Sequence, residues 1–416
     1  MRWHERAATW LEGRDPKAGL HHWERLVELV GAEPESADPA RVALGACARI
    51  IDLGMMFGLD FARGEELYRR DRAMAARFEE PDLEAALIAF FARFAAMGGE
   101  SLLGFEMVEE ALRVAPRVSD AGRYADLIVA ASTTLALAGR LSDAIATLES
   151  VLASGKVTAS TPTALARLLS AHATWLIHVG HRADARASVD RAAELLTGQR
   201  AVLGVLVNEL ARMQELAARG LPEGLLERIA LHVARTDESG VHFFRVGFRA
   251  RLAEVHLFRG DPDAALDAAE AGIGIALETR AALYRVPQLE LLRVRALLAL
   301  GDLAQARDAI EHLVAVPQRN LLNRGPLLVA HAEVLIAADA VAERSRIESS
   351  LGEAAGLAQR MDTLSLQATV CTTRAQLARA LIAPDSCTSR FRSRRACRFP
   401  DSRRRSAREL RERVQS

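Results

Sequence analysis

A glycine that recurs about every 40 residues constrains this chain more than any other feature of its sequence. The spacings between successive members are 45, 41, 40, 41, 40, 40 and 41 residues. The eight members of the series are Gly13, Gly58, Gly99, Gly139, Gly180, Gly220, Gly260 and Gly301. A fixed period of this kind is typical of repeat proteins, in which one supersecondary unit is stacked many times. The chain is therefore predicted to form an array of repeats.

The residues around each glycine indicate a pair of helices joined by a tight turn. Before the glycine, apolar residues recur at helical spacing, as in LIVAASTTLALAG. After it, Asp15-Pro16 and Asp261-Pro262 match the residues preferred at a helix N-cap and first helical position. The glycine itself suits the positive φ that ends many helices. Small residues such as Ala144 and Ala265, five positions after the glycine, would let the two helices pack closely.

Composition agrees with an all-α fold. Half of the residues are hydrophobic, but only 5% are aromatic, and Ala, Leu, Arg and Glu are abundant. These residues favour helices, whereas the residues that favour strands are scarce. We predict an all-α, right-handed superhelical solenoid of about nine helix pairs over residues 1–383. A ninth pair fits residues 324–358, and the first helix of a tenth fits 361–382.

Three units carry a resemblance to the tetratricopeptide repeat (TPR). They read LALAGRLSDAIATLESVL, LFRGDPDAALDAAEAGI and LALGDLAQARDAIEHLV. The usual TPR period is about 34 residues. The longer period here is more similar to the helical repeats of large bacterial ATPase-containing signalling proteins. These are LuxR-type activators of the maltose-regulon kind and class III adenylate or guanylate cyclases with an ATPase core. The resemblance implies that the chain is a fragment or a relative of a larger regulator.

The last segment, residues 384–416, differs from the rest. Residues 387–416 contain eleven Arg and three acidic residues, so this part carries +8 while the neutral chain leaves −8 for the remainder. We expect a disordered tail. It could alternatively be a basic arm for nucleic acid or anionic lipid, or an out-of-frame extension, because the repeat breaks in mid-unit.

The acidic body argues against nucleic acid bound by the array. The N-terminus, MRWHERAATWLEGRDP, lacks the apolar run of a signal peptide, and Leu127–Gly139 is too short to span a bilayer. We therefore expect a cytoplasmic protein without a membrane partner.

No motif in the sequence points to catalysis. The only two lysines are Lys17 and Lys156, and neither stands in a Walker A motif. Gly272 and Gly274 fall in a helical segment rather than after a strand. The four cysteines lack the two-residue gap of a zinc knuckle. The chain is expected to be no enzyme and to need no cofactor or metal.

One column of polar residues stands six positions before the glycine in seven consecutive units. In TPR arrays this position of the first helix faces the concave groove, so the resemblance implies a polar ladder along it. The ladder consists of Asp52, Arg93, Thr133, Thr174, Gln214, Glu254 and Arg295. Arg93 and Arg295 could each bind a carboxylate. An alternative is that the column is an ordinary solvated helix face.

These features predict a scaffold that binds a protein or peptide partner in its groove, in signalling or transcriptional regulation. The alternative is a sensor domain that binds a small polar ligand, such as a sugar-like inducer, in the same groove. A groove deep enough to enclose a ligand would favour the sensor, and an open one would favour the scaffold.

Overall fold

The computed structural model describes residues 1–31, 34–220, 222–316 and 320–382. Nineteen α-helices follow one another in these ranges, and no β-strand occurs within them. The helices are α1 Arg2–Glu12, α2 Pro16–Val30, α3 Ala37–Phe57, α4 Phe61–Arg77, α5 Pro81–Gly98, α6 Ser101–Val114, α7 Ala121–Leu137, α8 Leu141–Ser154, α9 Pro162–Val179, α10 Arg182–Leu196, α11 Val202–Arg219, α12 Leu225–Ser239, α13 His242–Phe258, α14 Pro262–Thr279, α15 Val286–Leu300, α16 Leu303–Ala315, α17 Leu321–Asp339, α18 Arg344–Arg360 and α19 Leu364–Ile382.

The helices form nine successive pairs, and α19 is the first helix of a tenth. Successive first helices contact one another along the whole series from α3 to α17, and second helices pack against them from outside. The first helices therefore form the inner wall of the array. The predicted all-α, right-handed superhelical solenoid of about nine pairs is confirmed. The predicted tail, residues 384–416, lies outside the described residues.

The repeat glycines end the first helices largely as predicted. Seven of the eight have φ between +73° and +108°, a region that side chains disfavour. Gly13 is the exception, with φ −80°. A Cβ atom there would collide with the carbonyl oxygen of Arg200, so close packing rather than backbone geometry requires this glycine.

The predicted caps and close helix contacts are present. The carboxylate of Asp15 accepts a hydrogen bond from the Ala18 amide, and that of Asp261 accepts one from Ala264. Ala144 and Ala265 are completely buried. These positions fix the angle at which each second helix leaves the turn.

The coil is wound tightly enough for successive turns to touch. The amide of Val202 donates to the carbonyl of Gly13 over 3.2 Å, and the hydroxyl of Ser365 donates to the carbonyl of His178 over 3.1 Å. Helix α3 also contacts α13, α7 contacts α17, and α9 contacts α19. The inner wall thus lines a channel that is partly closed where successive turns meet.

Helix α17 is long and apolar enough to cross a membrane by length and composition alone. In the array, half of its most apolar window is buried, and it packs against α15, α16, α18 and α19. These contacts are those of a core helix in a helical array.

Candidate functional site

Three cavities follow one another along the inner wall. The outer cavity, of about 520 Å³, lies between α1, α2 and the starts of α3 and α5. The middle cavity, of about 260 Å³, shares Thr9, Glu12 and Arg49 with it. The inner cavity, of about 130 Å³, shares Met56, Arg93, Val129 and Val207 with the middle one. Together they form an elongated channel.

Five of the seven ladder residues line this channel. Asp52 borders the middle cavity, and Arg93 borders both the middle and the inner cavity. Thr133, Thr174 and Gln214 border the inner cavity. Helical periodicity therefore brings these five side chains to a common space, although their use in binding stays a prediction.

The other two ladder residues, Glu254 and Arg295, line none of the three cavities. The carboxylate of Glu254 lies 2.5 Å from the guanidinium of Arg251, which is only 7% exposed. Arg295 donates to Glu333 at 3.2 Å. Both groups are thus engaged in ion pairs within the array, where they orient neighbouring side chains.

The middle cavity is surrounded by a network of paired charges. Arg49 lies 3.1 Å from Asp126, 3.5 Å from Asp52 and 3.6 Å from Glu12. Arg167 contacts the second oxygen of Asp126 at 2.7 Å. Arg93 forms an ion pair with Asp52. The carboxylate that Arg93 contacts is therefore one of the chain's own.

Glu12 connects this network to the outer cavity. Its carboxylate accepts a hydrogen bond of 2.6 Å from the indole of Trp23. Burial raises the pKa of Glu12, while Arg49 and the Trp23 hydrogen bond oppose that rise. The charged wall is consequently built from groups that hold one another in place.

The polar ladder residues of the inner cavity also have partners. The hydroxyls of Thr133 and Thr174 donate to the carbonyls of Val129 and Ser170, at 2.8 and 2.9 Å. Their oxygen lone pairs remain able to accept hydrogen bonds. The amide nitrogen of Gln214 lies 3.3 Å from Nε2 of His178.

Apolar and aromatic side chains make up most of the inner cavity wall. They include Met55, Met56, Met97, Trp175, Phe243, Phe244 and Tyr284. Arg93, Arg251 and Arg285 line the same cavity, and none of its lining residues is acidic. This composition differs sharply from that of the middle cavity.

Arg285 lies in a short 3₁₀ turn, Leu283–Arg285, just before α15. Its guanidinium carbon is 5.0 Å from the centre of the Tyr284 ring and 5.9 Å from that of Phe243. One terminal nitrogen donates to the Gln288 amide oxygen at 3.1 Å. Nε of Arg285 and Nε1 of Trp175 are buried, and no acceptor from the described part of the chain reaches either atom.

His178 is influenced by the same positive charges. Burial lowers the pKa of this imidazole to about 4, with further contributions from Arg251 and Arg285. His178 is therefore uncharged at neutral pH, and it stacks beside Trp175 with ring centres 6.0 Å apart.

Sequence reasoning missed Trp175 and Arg285. Many residues of the inner cavity wall lie three or four positions from a ladder residue. Met56 and Met97 are examples, and helical spacing could have identified them as part of the wall. Arg285 lies in a connection between repeats and has no place in that spacing. Its only sequence signal is the pair Tyr284-Arg285 shortly before Pro287.

Comparison with known proteins supports the fold. No protein-family model matches the chain, and no curated protein matches it. The crystal structure of a Rap protein complexed with Competence and Sporulation Factor is similar over 89% of this chain and 97% of that one. The sequence identity is 14% and the TM-score is 0.59. This likeness shows that the chain has a TPR-like helical-repeat fold.

Two other solved structures have lower scores. Yeast Tom70 is 11% identical and covers 93% of this chain and 84% of its own, with a TM-score of 0.42. The Cut9 and Hcn1 hetero-tetramer of the APC/C is 11% identical over 94% and 95%, with a TM-score of 0.34.

Proposed function

We propose that this chain is a non-catalytic binding array that takes up an extended segment of a peptide or protein partner in its channel. We further propose that it acts in bacterial signalling or transcriptional regulation, in the cytoplasm. The observation that carries the binding function is the series of three connected cavities along the first helices.

The shape of the channel favours an extended ligand. Pockets for compact small molecules usually measure about 300–1,000 Å³. The middle and inner cavities, at about 260 and 130 Å³, are each smaller than this, but they adjoin and share part of their walls. An extended peptide can place successive side chains in such a series, whereas a compact ligand occupies only one member.

The chemistry of the wall also suits a peptide. Thr133 and Thr174 can accept hydrogen bonds from backbone amides through their free lone pairs, and Gln214 can both donate and accept. Apolar side chains separate these groups and can receive the side chains of a ligand. The Rap structure, which holds Competence and Sporulation Factor, shows that a similar array can form a complex with such a factor.

A pair of matched threonine variants tests this function. Thr133 on α7 lines the inner cavity, whereas Thr147 on α8 of the same repeat lines none of the three cavities. Both are partly exposed, and both donate to the carbonyl four residues earlier. Thr133→Trp would fill the channel, and Thr147→Trp is its control.

The probe is a pool of random hexapeptides with free carboxyl termini, incubated with immobilised protein and quantified by mass spectrometry. We expect the wild type and Thr147→Trp to retain a subset of peptides that Thr133→Trp loses at least about tenfold. Equal retention by the two variants, or no retention by the wild type, would contradict peptide binding in the channel.

A small polar ligand is the second candidate. The volume of the outer cavity, about 520 Å³, falls within the range for such ligands, and the touching turns of the coil partly close the channel. Millimolar maltose would then raise the melting temperature by preferential binding to the folded state. A rise with maltose together with no peptide retention would favour this sensor function.

A further inference from the structure

Arg285 differs from the other arginines that border the inner cavity. Arg93 is paired with Asp52, and Arg251 is paired with Glu254. Among the described residues, no carboxylate lies within the 4.0 Å of a salt bridge from Arg285, whose polar neighbours are the Gln288 amide oxygen and the Tyr284 hydroxyl. A cation held in apolar surroundings without an anionic partner is costly, so it points to an anion that arrives from outside.

The hydrogen-bond donors of this cavity also favour an anionic ligand. Nε of Arg285 and Nε1 of Trp175 are both buried, and the described side chains provide neither with an acceptor. Both groups only donate hydrogen bonds. Two donors in the wall of the cavity therefore lack an acceptor, which favours an acceptor-rich, negatively charged group as the ligand.

The size of the cavity narrows the choice. A dry cavity of about 150 Å³ can hold a benzene ring. The inner cavity, at about 130 Å³ and walled by methionine and aromatic side chains, is smaller than that, so it can hold a carboxylate with a small aliphatic side chain such as that of valine. One free guanidinium matches the single charge of a carboxylate better than the higher charge of a phosphate.

We propose that the inner cavity binds the C-terminal carboxylate of a peptide, with Arg285 as its partner and an apolar last side chain against Trp175 and Met97. This inference rests on the peptide-binding function proposed above and gives the bound peptide a direction. The free carboxyl end lies in the inner cavity, and the chain of the peptide runs towards the middle and outer cavities.

Neighbouring charges support this placement. The guanidinium groups of Arg251 and Arg285 help to lower the pKa of His178, so the field in this part of the channel is positive. A carboxylate bound there would reduce that field. The imidazole of His178 would then titrate at a higher pH in the complex than in the free protein.

The test compares two pools that differ in a single group. Random hexapeptides ending in valine are prepared with a free carboxylate and with a carboxamide, and both are offered to the immobilised full chain. We expect the wild type to retain the carboxylate pool about tenfold better, since a charge-assisted hydrogen bond is lost in the amide. N-acetyl-L-valine and its amide form the small-molecule arm.

Four variants assign the effect to the proposed groups. Arg285→Gln should abolish the preference for the carboxylate pool, and Arg285→Lys should keep part of it. Trp175→Phe removes only the indole donor and should reduce retention a few-fold. Arg259→Gln, at an exposed position after α13, is the control and should leave the preference unchanged.

The outcomes separate this inference from the binding function. Equal retention of both pools by the wild type overturns the carboxylate site and leaves peptide binding in place. Retention of neither pool overturns both. A preference that persists in Arg285→Gln and Arg285→Lys alike shows that another group binds the carboxylate. Binding of N-acetyl-L-valine as tight as that of the peptides overturns the peptide site and shows that the site serves a small acid.

Discussion

The middle and inner cavities adjoin each other and are both bordered by arginines, but they use these arginines differently. In the middle cavity, Arg49, Arg93 and Arg167 are each paired with at least one of Glu12, Asp52 and Asp126. In the inner cavity, Arg285 has aromatic neighbours and an amide. Paired charges hold the wall together, whereas an unpaired one remains free to bind a ligand.

Arg49 is the residue whose loss should cost the most stability. Arg49→Met removes one of the two cations that face Asp126, a carboxylate that is only 5% exposed. The variant leaves Asp126 with Arg167 and removes the cation that faces the partly buried Glu12, so we expect a loss of about 2–4 kcal/mol in urea unfolding. The control is Arg69→Met, which breaks an exposed pair with Glu65 and should cost less than ~0.5 kcal/mol. Similar losses in the two variants would show that the network does not support the wall.

Replacing Gly58 should cause the second-largest loss of stability. This glycine lies where successive turns of the coil touch, and the winding of the coil places the two cavities side by side. Its φ is +91°, and an added Cβ would collide with the carbonyl oxygen of Thr279 on the next turn. Gly58→Ala should therefore cost about 2–3 kcal/mol. Gly260 also has a positive φ, +73°, but faces open space, so Gly260→Ala should cost only about 1 kcal/mol. Equal melting temperatures for the two variants would contradict a structural role for contact between turns.

His178 should make stability depend on pH at the boundary of the inner cavity. Its pKa is about 4 in the folded chain and about 6.5 when unfolded, so the unfolded state binds more protons between these values. Stability is then lost as the pH falls, by about 2 kcal/mol between pH 7 and pH 5. His178→Gln should flatten this part of the urea-unfolding profile, and His21→Gln, at an exposed position, should not. An unchanged profile for His178→Gln would contradict burial of an uncharged imidazole at this position.

Replacing Arg285 should have the smallest effect on the free energy of unfolding, in contrast to the large loss expected on replacing Arg49. Arg285→Met removes a buried cation and adds an apolar side chain to a cavity already lined by Met55, Met56 and Met97. We expect the free energy of unfolding to change by less than ~1 kcal/mol, with either sign. A loss above about 2 kcal/mol would mean that Arg285 supports the wall as Arg49 does.

The fold was predictable because the signals that specify it are local. The spacing of the glycines and small residues indicated the helix pairs, and seven of the eight glycines have the expected backbone geometry. Asp15 and Asp261 cap the helices as their sequence context indicates. Only Gly13 lacks the expected positive φ. The contact that requires a glycine there comes from Arg200, a residue on the next turn.

The site was predictable only in part. Helical spacing placed Asp52 and Arg93 on the inner wall, but it could not show that they pair with each other across two repeats. The pair of Glu254 with Arg251, three residues earlier on α13, is local, and helical spacing allows it. Pairing between repeats depends on how the coil brings helices together, and no linear pattern contains that information.

The contacts between successive turns have a consequence for folding. In an open solenoid each repeat touches only its neighbours, so unfolding can begin at either end and spread one unit at a time. Here Ser365 contacts His178, which lies 187 residues earlier in the chain. Such contacts form late and slow the search for the native state, because a long loop must close first. Once formed, they join the ends of the array to its middle, so that it unfolds more nearly as one unit.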